Sequence, residues 1–166
     1  KNVNHVLKYP KHEKCAWFWK PHTLKAAPYE YKCWIDIDCE VLANCSEIFD
    51  LVDGTNIGLT NDPCRSRTNQ SEKWYATGVN VVKGEPDLLT KWIKASRNTE
   101  QRGDQEVMHE LLKDEENLKS ITEIDMKYQW LRIQLLNGQD NNKKKIIHWT
   151  GPAGKEIIRR ERFNSK

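Results

Sequence analysis

The chain has 166 residues, of which 37% are hydrophobic and 31% are charged, and its formal net charge is +3 at pH 7. This length predicts one domain over residues 1–166, and the composition excludes a disordered chain. The charge is too small to indicate a nucleic-acid partner, and no apolar run approaches the roughly 18 residues of a membrane span.

Strand and helix patterns alternate along the chain after a polar, basic segment at residues 1–14, which we expect to be a loop or a frayed end. Apolar and β-branched runs predict strands at residues 33–37, 57–60, 78–82 and 145–149. Caps and apolar spacing predict helices ending before Pro28 and at 44–52, 87–93, 105–112 and 154–160. The polar residues 61–73 are typical of a loop. This alternation predicts an α/β fold.

Two aspartates, Asp36 and Asp38, lie in the apolar run at residues 33–42. Residues i and i+2 of an extended chain point to the same side, so we expect the two carboxylates to lie side by side. Two like charges that close are unfavourable without a cation between them. The pair predicts half of a site for Mg²⁺ or Mn²⁺. Solvated carboxylates at a strand end are the alternative.

His148 ends the last predicted strand and is followed by a glycine-containing loop and Lys155. An imidazole can complete a metal site that carboxylates begin. The backbone N–H groups of a glycine loop, with an ammonium nearby, suit a pyrophosphate. A structural histidine and a solvated lysine are the alternatives.

Two further motifs have polar side chains next to glycines. Gly78 enters a strand with Asn80 two residues on, which indicates either a β-bulge or close approach of the backbone to a ligand. Asp104 and Gln105 follow Gly103 at a predicted helix start. Acidic residues are common at the start of a helix. The side chains of Asp104 and Gln105 could also bind sugar hydroxyls or stabilise a developing charge from this position.

In their order along the chain, these motifs resemble those of the GT-A nucleotide-sugar glycosyltransferases, with family 8 and the galactosyl- and mannosyltransferase-like relatives matching best. The motifs are Trp19-Lys20-Pro21, Asp36-Ile37-Asp38, Thr77-Gly78-Val79-Asn80, Gly103-Asp104-Gln105 and His148-Trp149-Thr150-Gly151-Pro152 with Lys155. The resemblance covers roughly residues 17–159 and implies one domain with a mixed central sheet flanked by helices. The small, tryptophan-rich chain also loosely resembles a chlorovirus capsid-glycosylating transferase domain.

The resemblance implies transfer of a sugar from a nucleoside-diphosphate sugar to a glycan or glycoprotein acceptor, with retention of the anomeric configuration. A UDP-sugar is favoured over a GDP-sugar, and the cofactor would be Mn²⁺ or Mg²⁺. The implied metal ligands are Asp36, Asp38 and His148. The implied donor-binding residues are Lys20, Asp36, Gly78, Asn80, Asp104, Gln105, Gly151 and Lys155. Asp104 or Gln105 would stabilise the oxocarbenium-like centre and not attack it.

The chain departs from the family in one respect. Only 35 residues precede Asp36, without a clean apolar strand, so the segment that binds the nucleotide base is expected to be missing or reduced. An inactive sugar- or nucleotide-binding homologue and a nucleotidyltransferase are the alternatives. Trp74 and Trp130 are candidates for stacking on an acceptor sugar, and core packing is their other interpretation.

The chain has five cysteines, an odd number, with no CxxC pair. We interpret them as mostly free thiols in a reducing compartment. No signal-peptide pattern opens the chain. Together these features predict a cytoplasmic protein, of a bacterium or, if it is viral, in the cytoplasm of the host.

Overall fold

The computed structural model describes residues 16–68, 72–140 and 142–164, with side chains for all of these except 67, 68 and 161–164. The loop or frayed end predicted at residues 1–14 lies outside this part of the chain, as does Cys15. Within the described ranges, no helix has both the length and the apolar character needed to cross a membrane.

The described residues form strands and helices that alternate, as the sequence predicts. The strands are β1 (Tyr31–Ile35), β2 (Cys39–Val41), β3 (Ile57–Asn61), β4 (Tyr75–Lys83), β5 (Ile121–Ile124), β6 (Trp130–Leu131) and β7 (Ile146–His148). The α-helices are α1 (Lys20–Ala26), α2 (Pro63–Thr68), α3 (Asp87–Arg97), α4 (Asp104–Leu111), α5 (Glu115–Lys119), α6 (Arg132–Leu136) and α7 (Gly151–Asn164). Short 3₁₀ helices cover Ala16–Trp19, Ser46–Leu51 and Met126–Tyr128.

The strands form two mixed sheets. The first has the order β1-β4-β3-β5, in which only the β3–β5 pair is parallel. The second has the order β2-β7-β6, with β2 antiparallel and β6 parallel to β7. The chain passes from one sheet to the other directly after β1. These mixed sheets flanked by helices confirm the predicted α/β class.

The core lies on both faces of β4. Val82 packs with side chains of α1, α3 and α4, among them Trp92 and Met108. Val79 and Val81 pack on the opposite face with Ile48, Tyr128 and Ile146. Because successive side chains of a strand point to opposite faces, a strand covered on both sides reads as a nearly continuous apolar run.

Two segments differ from the sequence-based prediction. Residues 61–73, predicted as a loop, contain α2, because the Asp62 carboxylate accepts hydrogen bonds from the backbone N–H groups of Cys64 and Arg65 at the first turn. Residues 121–124, for which we predicted no strand, form the edge strand β5. Parallel pairing with β3 in the first sheet holds this segment extended.

Cys33, Cys39 and Cys45 are free thiols, as the sequence predicts for most of the cysteines. Burial, with a smaller contribution from Cys45, raises the pKa of the Cys33 thiol to about 12. Burial also raises the pKa of Cys39. Both therefore pack as neutral apolar groups.

Leu59 tests the position of the core. It is fully buried, whereas Leu136 at the end of α6 is 67% exposed. We expect Leu59→Ala to lower the free energy of unfolding by about 2–5 kcal/mol, because it removes buried methyl groups and leaves a cavity. Leu136→Ala should cost less than about 0.5 kcal/mol. Urea unfolding followed by tryptophan fluorescence measures both, and equal losses would contradict this core.

Candidate metal centre and adjoining cavity

Asp36 and Asp38 lie in the turn that joins the two sheets. β1 ends at Ile35, and the chain then turns, with the N–H of Cys39 donating to the carbonyl oxygen of Asp36 at 2.9 Å. The expectation that the two aspartates share one face of a strand is therefore wrong, because the strand stops before them. The backbone of Gly78 accepts from the N–H of Asp36, and the N–H of Trp149 donates to the carbonyl of Asp38. Both sheets thus hold the turn.

His148, at the end of β7, faces these carboxylates. Its Nε2 is 3.2 Å from Asp38 Oδ1 and 3.7 Å from Asp36 Oδ2. One ligand atom from each residue fits within 4.8 Å of the others, so the three residues form a group that can hold a metal ion. Burial acts to raise the pKa of the Asp38 carboxyl, but the hydrogen bond and charge of His148 outweigh it, and the pKa lies below its usual value.

The spacing of these atoms suits metal coordination. Neighbouring ligands of an octahedral ion with bonds of about 2.1 Å lie about 3 Å apart. The distances from His148 to the two carboxylates are close to that value. Two carboxylate oxygens and one imidazole nitrogen are donors that first-row divalent metals accept. The residues therefore fit a divalent cation.

Gln129 contacts the other ring nitrogen of His148. Its Oε1 accepts from the backbone N–H of Val79 at 2.7 Å, which leaves its Nε2 to face His148 Nδ1 at 3.0 Å. An amide NH₂ can only donate, so Nδ1 accepts, and a neutral ring then has its proton on Nε2, toward Asp38. Metal binding at Nε2 would therefore require the proton to leave that nitrogen and the Gln129 contact to change.

A bulge in β4 brings these groups together. The register of β4 with β3 passes from Leu59 opposite Asn80 to Thr60 opposite Ala76, which leaves residues 77–79 unpaired with β3. A Cβ atom at Gly78 would collide with the ring of His148 and lie 2.6 Å from Gln129 Nε2. Of the two alternatives for Gly78, the β-bulge is present, and the close approach that requires glycine is to His148.

Lys20, at the start of α1, connects the metal group to α4. Its Nζ is 2.6 Å from the carbonyl oxygen of Thr77, 2.8 Å from Asp104 Oδ2 and 3.2 Å from Asp36 Oδ1. The residue is 1% exposed. The ammonium donates hydrogen bonds to the Thr77 carbonyl and to Asp36, and it forms an ion pair with Asp104. Lys20 therefore stabilises both carboxylates.

A cavity of about 530 Å³ lies beside this group. The predicted site residues that border it are Lys20, Asp36, Gly78, Asp104, Gln105 and His148. Residues that the sequence analysis missed also border it, among them Asp62, Gln129 and Arg132. Aspartate followed by proline is a common helix start and could have identified Asp62. We find no sequence signal for Gln129.

Asn80 and Trp74 do not border the cavity. Asn80 is fully buried, and its amide donates to the carbonyl of Thr77 at 2.8 Å. The Trp74 ring is 8% exposed, with His109 stacked on it at 3.7 Å and Arg65 over it at 5.0 Å. Little ring surface is left for a sugar. Trp130, in β6, is partly buried.

Gly151 and Lys155 lie on α7, beyond His148. Gly151 opens the helix with φ of +75°, a backbone conformation that favours glycine. The Nζ of Lys155 is 4.0 Å from Asp38 Oδ2, and its side chain is 53% exposed. A helix N-terminus and an ammonium group therefore lie next to the metal group.

These mixed sheets and the turn between them form the fold of the GT-A glycosyltransferases. The solved structures that this chain matches include glycosyltransferases with this fold. No family model matches the chain, and no curated protein matches its sequence. The crystal structure of the galactosyltransferase LgtC with donor and acceptor sugar analogs matches with a TM-score of 0.54 at 15% identity, over 82% of this chain. The glycosyltransferase GlyE of Streptococcus pneumoniae TIGR4 matches with a TM-score of 0.57 at 16% identity, over 81% of this chain.

Mouse xyloside xylosyltransferase 1 matches with a TM-score of 0.50 at 13% identity, over 79% of this chain. The match covers 57% of LgtC, 37% of GlyE and 62% of the xylosyltransferase. The chain thus spans less than two thirds of each of these proteins. At such identities the likeness establishes the fold.

Lys20 provides a test of the charge arrangement. Lys20→Met leaves the carboxylates of Asp36 and Asp104 without their shared cation, and breaking a buried ion pair costs about 3–5 kcal/mol. Lys25→Met on the same helix should cost less than about 1 kcal/mol, because its side chain is 42% exposed. Urea unfolding in the presence of a chelator measures both. A Lys20 variant as stable as the Lys25 variant would contradict the bridging role.

Proposed function

We propose that this chain carries the metal and donor-sugar site of a glycosyltransferase that uses a nucleoside-diphosphate sugar. The observation that carries the proposal is the group of Asp36, Asp38 and His148 beside a cavity, at the junction of two sheets in a GT-A fold. A fold alone does not define an activity, so the proposal rests on this site.

Asp36, Asp38 and His148 would hold a divalent cation, which acts when bound as a Lewis acid on the diphosphate leaving group. Mn²⁺ is favoured over Mg²⁺ because Mg²⁺ prefers oxygen ligands throughout, whereas the donor set here includes an imidazole. The backbone contacts from Gly78 and Trp149 fix the turn that carries both carboxylates.

The diphosphate lies against Gly151 and Lys155 in this proposal. The N–H groups at the start of α7 have partial positive charge, and the Lys155 ammonium adds a full one. Lys155 is exposed and 4.0 Å from Asp38, so its side chain can turn toward a bound ligand. It would bind the leaving group as charge develops there.

The donor sugar occupies the cavity at the start of α4. Asp104 and Gln105 both border it. Lys20 holds the Asp104 carboxylate in an ion pair at 2.8 Å, which favours an electrostatic role over covalent attack. Gln105 presents a neutral amide, whose oxygen can accept a hydrogen bond from a sugar hydroxyl or stabilise positive charge on an oxocarbenium-like sugar. This assignment accords with transfer that retains the anomeric configuration.

We propose a UDP-sugar as the donor and a glycan or glycoprotein as the acceptor. The solved structure of LgtC contains donor and acceptor sugar analogs, and this chain shares its fold. The free, partly buried thiols of Cys33, Cys39 and Cys45 support a reducing compartment such as the cytoplasm.

Calorimetry with UDP and GDP, with and without Mn²⁺, tests the metal site. We expect nucleotide binding to require Mn²⁺. Asp38→Ala and His148→Ala should each weaken nucleotide binding by at least about 10- to 100-fold, because replacing even a residue that only contacts a metal ligand causes a loss of this size. Asp53→Ala is the control, because among the described residues the Asp53 carboxylate accepts hydrogen bonds only from Thr55 in its own turn. Unchanged binding in either site variant would refute the metal assignment.

Donor hydrolysis separates an enzyme from a binding-only homologue. A panel of UDP- and GDP-sugars with Mn²⁺ should reveal one donor that is slowly hydrolysed, and NMR of the first-formed sugar reports its anomeric configuration. Tight, metal-dependent binding without any hydrolysis would favour the inactive homologue. Release of pyrophosphate from a nucleoside triphosphate and a sugar phosphate would favour the nucleotidyltransferase.

Gln129→Glu tests the contact on His148. A carboxylate would accept a proton from Nδ1 and leave the lone pair of Nε2 for the metal, so we expect Mn²⁺ affinity to rise by about tenfold. Gln134→Glu is the matched control, since Gln134 is also buried and accepts a backbone N–H, that of Leu131. Direct titration with Mn²⁺ measures both variants. Weaker binding in Gln129→Glu would contradict coordination through Nε2.

A further inference from the structure

Two acceptors hold the side-chain amide of Gln105 at the wall of the cavity. Its Nε2 is 2.9 Å from Asp62 Oδ2 and 3.0 Å from the backbone carbonyl oxygen of Tyr75. A carbonyl oxygen cannot donate, so the atom that faces Tyr75 has to be the NH₂ nitrogen. Both amide hydrogens are used there. Gln105 borders the cavity, and Oε1 is the amide atom that remains for a ligand.

The direction of the Asp62 carboxylate is fixed by α2. Its Oδ1 accepts from the backbone N–H groups of Cys64 and Arg65, both at 3.0 Å, and the residue is 6% exposed. With Oδ1 held by the first turn of the helix, Oδ2 points to Gln105. Serine and asparagine cap helices as well as aspartate does. Only aspartate caps the helix and also offers a second acceptor.

We propose that Asp62 is a positioning residue that keeps the carbonyl oxygen of Gln105 turned toward the donor sugar. The inference rests on the proposed function for the role of Gln105, but the orientation of the amide stands on the contacts above. An amide turned the other way would present NH₂ to the cavity. That group would oppose the positive charge that develops on an oxocarbenium-like sugar, whereas the oxygen stabilises it.

Asp62→Asn separates this role from helix capping. Asparagine keeps an oxygen for the N–H groups of Cys64 and Arg65, so α2 retains its cap. Its NH₂ would then face the NH₂ of Gln105, and two donors cannot bond. The Gln105 amide has to turn or shift, which displaces its oxygen.

The first experiment follows the Gln105 side-chain amide by ¹⁵N NMR in the 166-residue chain. The resonance pair is assigned by its loss in Gln105→Glu. We expect Asp62→Asn to shift it and to speed its hydrogen exchange by about tenfold, the factor that corresponds to one net hydrogen bond. The matched control is Asp114→Asn, since Asp114 caps α5 through Oδ1 in the same way. An unmoved pair would overturn the proposal.

The second experiment measures hydrolysis of the donor sugar. Asp62→Asn and Gln105→Glu should each lower kcat by about 10- to 100-fold, since small misplacements near the reacting atoms have effects of this size. Affinity for UDP with Mn²⁺ should stay within about twofold in Asp62→Asn. A merely structural role would lower stability and binding together.

The double variant provides a rescue test. In Asp62→Asn combined with Gln105→Glu, the side-chain amide introduced at position 62 would donate to the carboxylate introduced at position 105, so the pair regains a hydrogen bond. We expect kcat at least about tenfold above the product of the two single effects. If kcat of the double variant equals the product of the two single effects, the proposal is overturned.

The outcomes distinguish the two proposals. If the unaltered chain hydrolyses no donor, the proposed function fails, and the NMR experiment still decides the orientation of Gln105. If Gln105→Glu impairs hydrolysis and Asp62→Asn does not, the positioning role is overturned and the proposed function survives. If Asp62→Asn impairs hydrolysis and Gln105→Glu does not, the positioning role is also overturned, because Asp62 would then not act through Gln105.

Discussion

At residues 77–79 the central strand β4 leaves its register with β3, and the backbone groups there hold the candidate site together. The carbonyl of Thr77 accepts from Lys20, the carbonyl of Gly78 accepts from the N–H of Asp36, and the N–H of Val79 donates to Gln129. Because β4 is paired on both sides beyond this point, the bulge is held firmly. Bulges of this kind occur next to active sites, where they redirect a strand and its neighbours.

The charges of the site are arranged around the same point. Two aspartates at a sheet junction repel each other, and the fold places cations on both sides of them. Lys20 lies between Asp36 and Asp104, and Lys155 lies near Asp38. The ammonium of Lys20 therefore links the candidate metal centre to the start of α4. A change at either end alters the electrostatic environment of the other.

The site divides into a rigid part and a part that depends on α2. Backbone contacts from both sheets hold the metal group. Gln105 takes its orientation from Asp62, a residue that also caps α2. Arg65 on that helix pairs with Glu106, the residue after Gln105. The short helix thus contacts α4 at two neighbouring positions.

The sequence by itself determined the types of the elements and the order of the motifs, because local periodicity and caps report on the nearest turn of chain. It therefore predicted the α/β class and the strands of the core, while the order of the motifs and their resemblance to the GT-A enzymes indicated Asp36, Asp38 and His148 as a group. Tertiary structure alone decided which side chains meet. Asn80 and Trp74 are covered by packing, Lys20 forms ion pairs with both Asp36 and Asp104, and Gln129 and Asp62 enter the site. Such contacts join residues far apart in the chain, and local pattern carries no record of them.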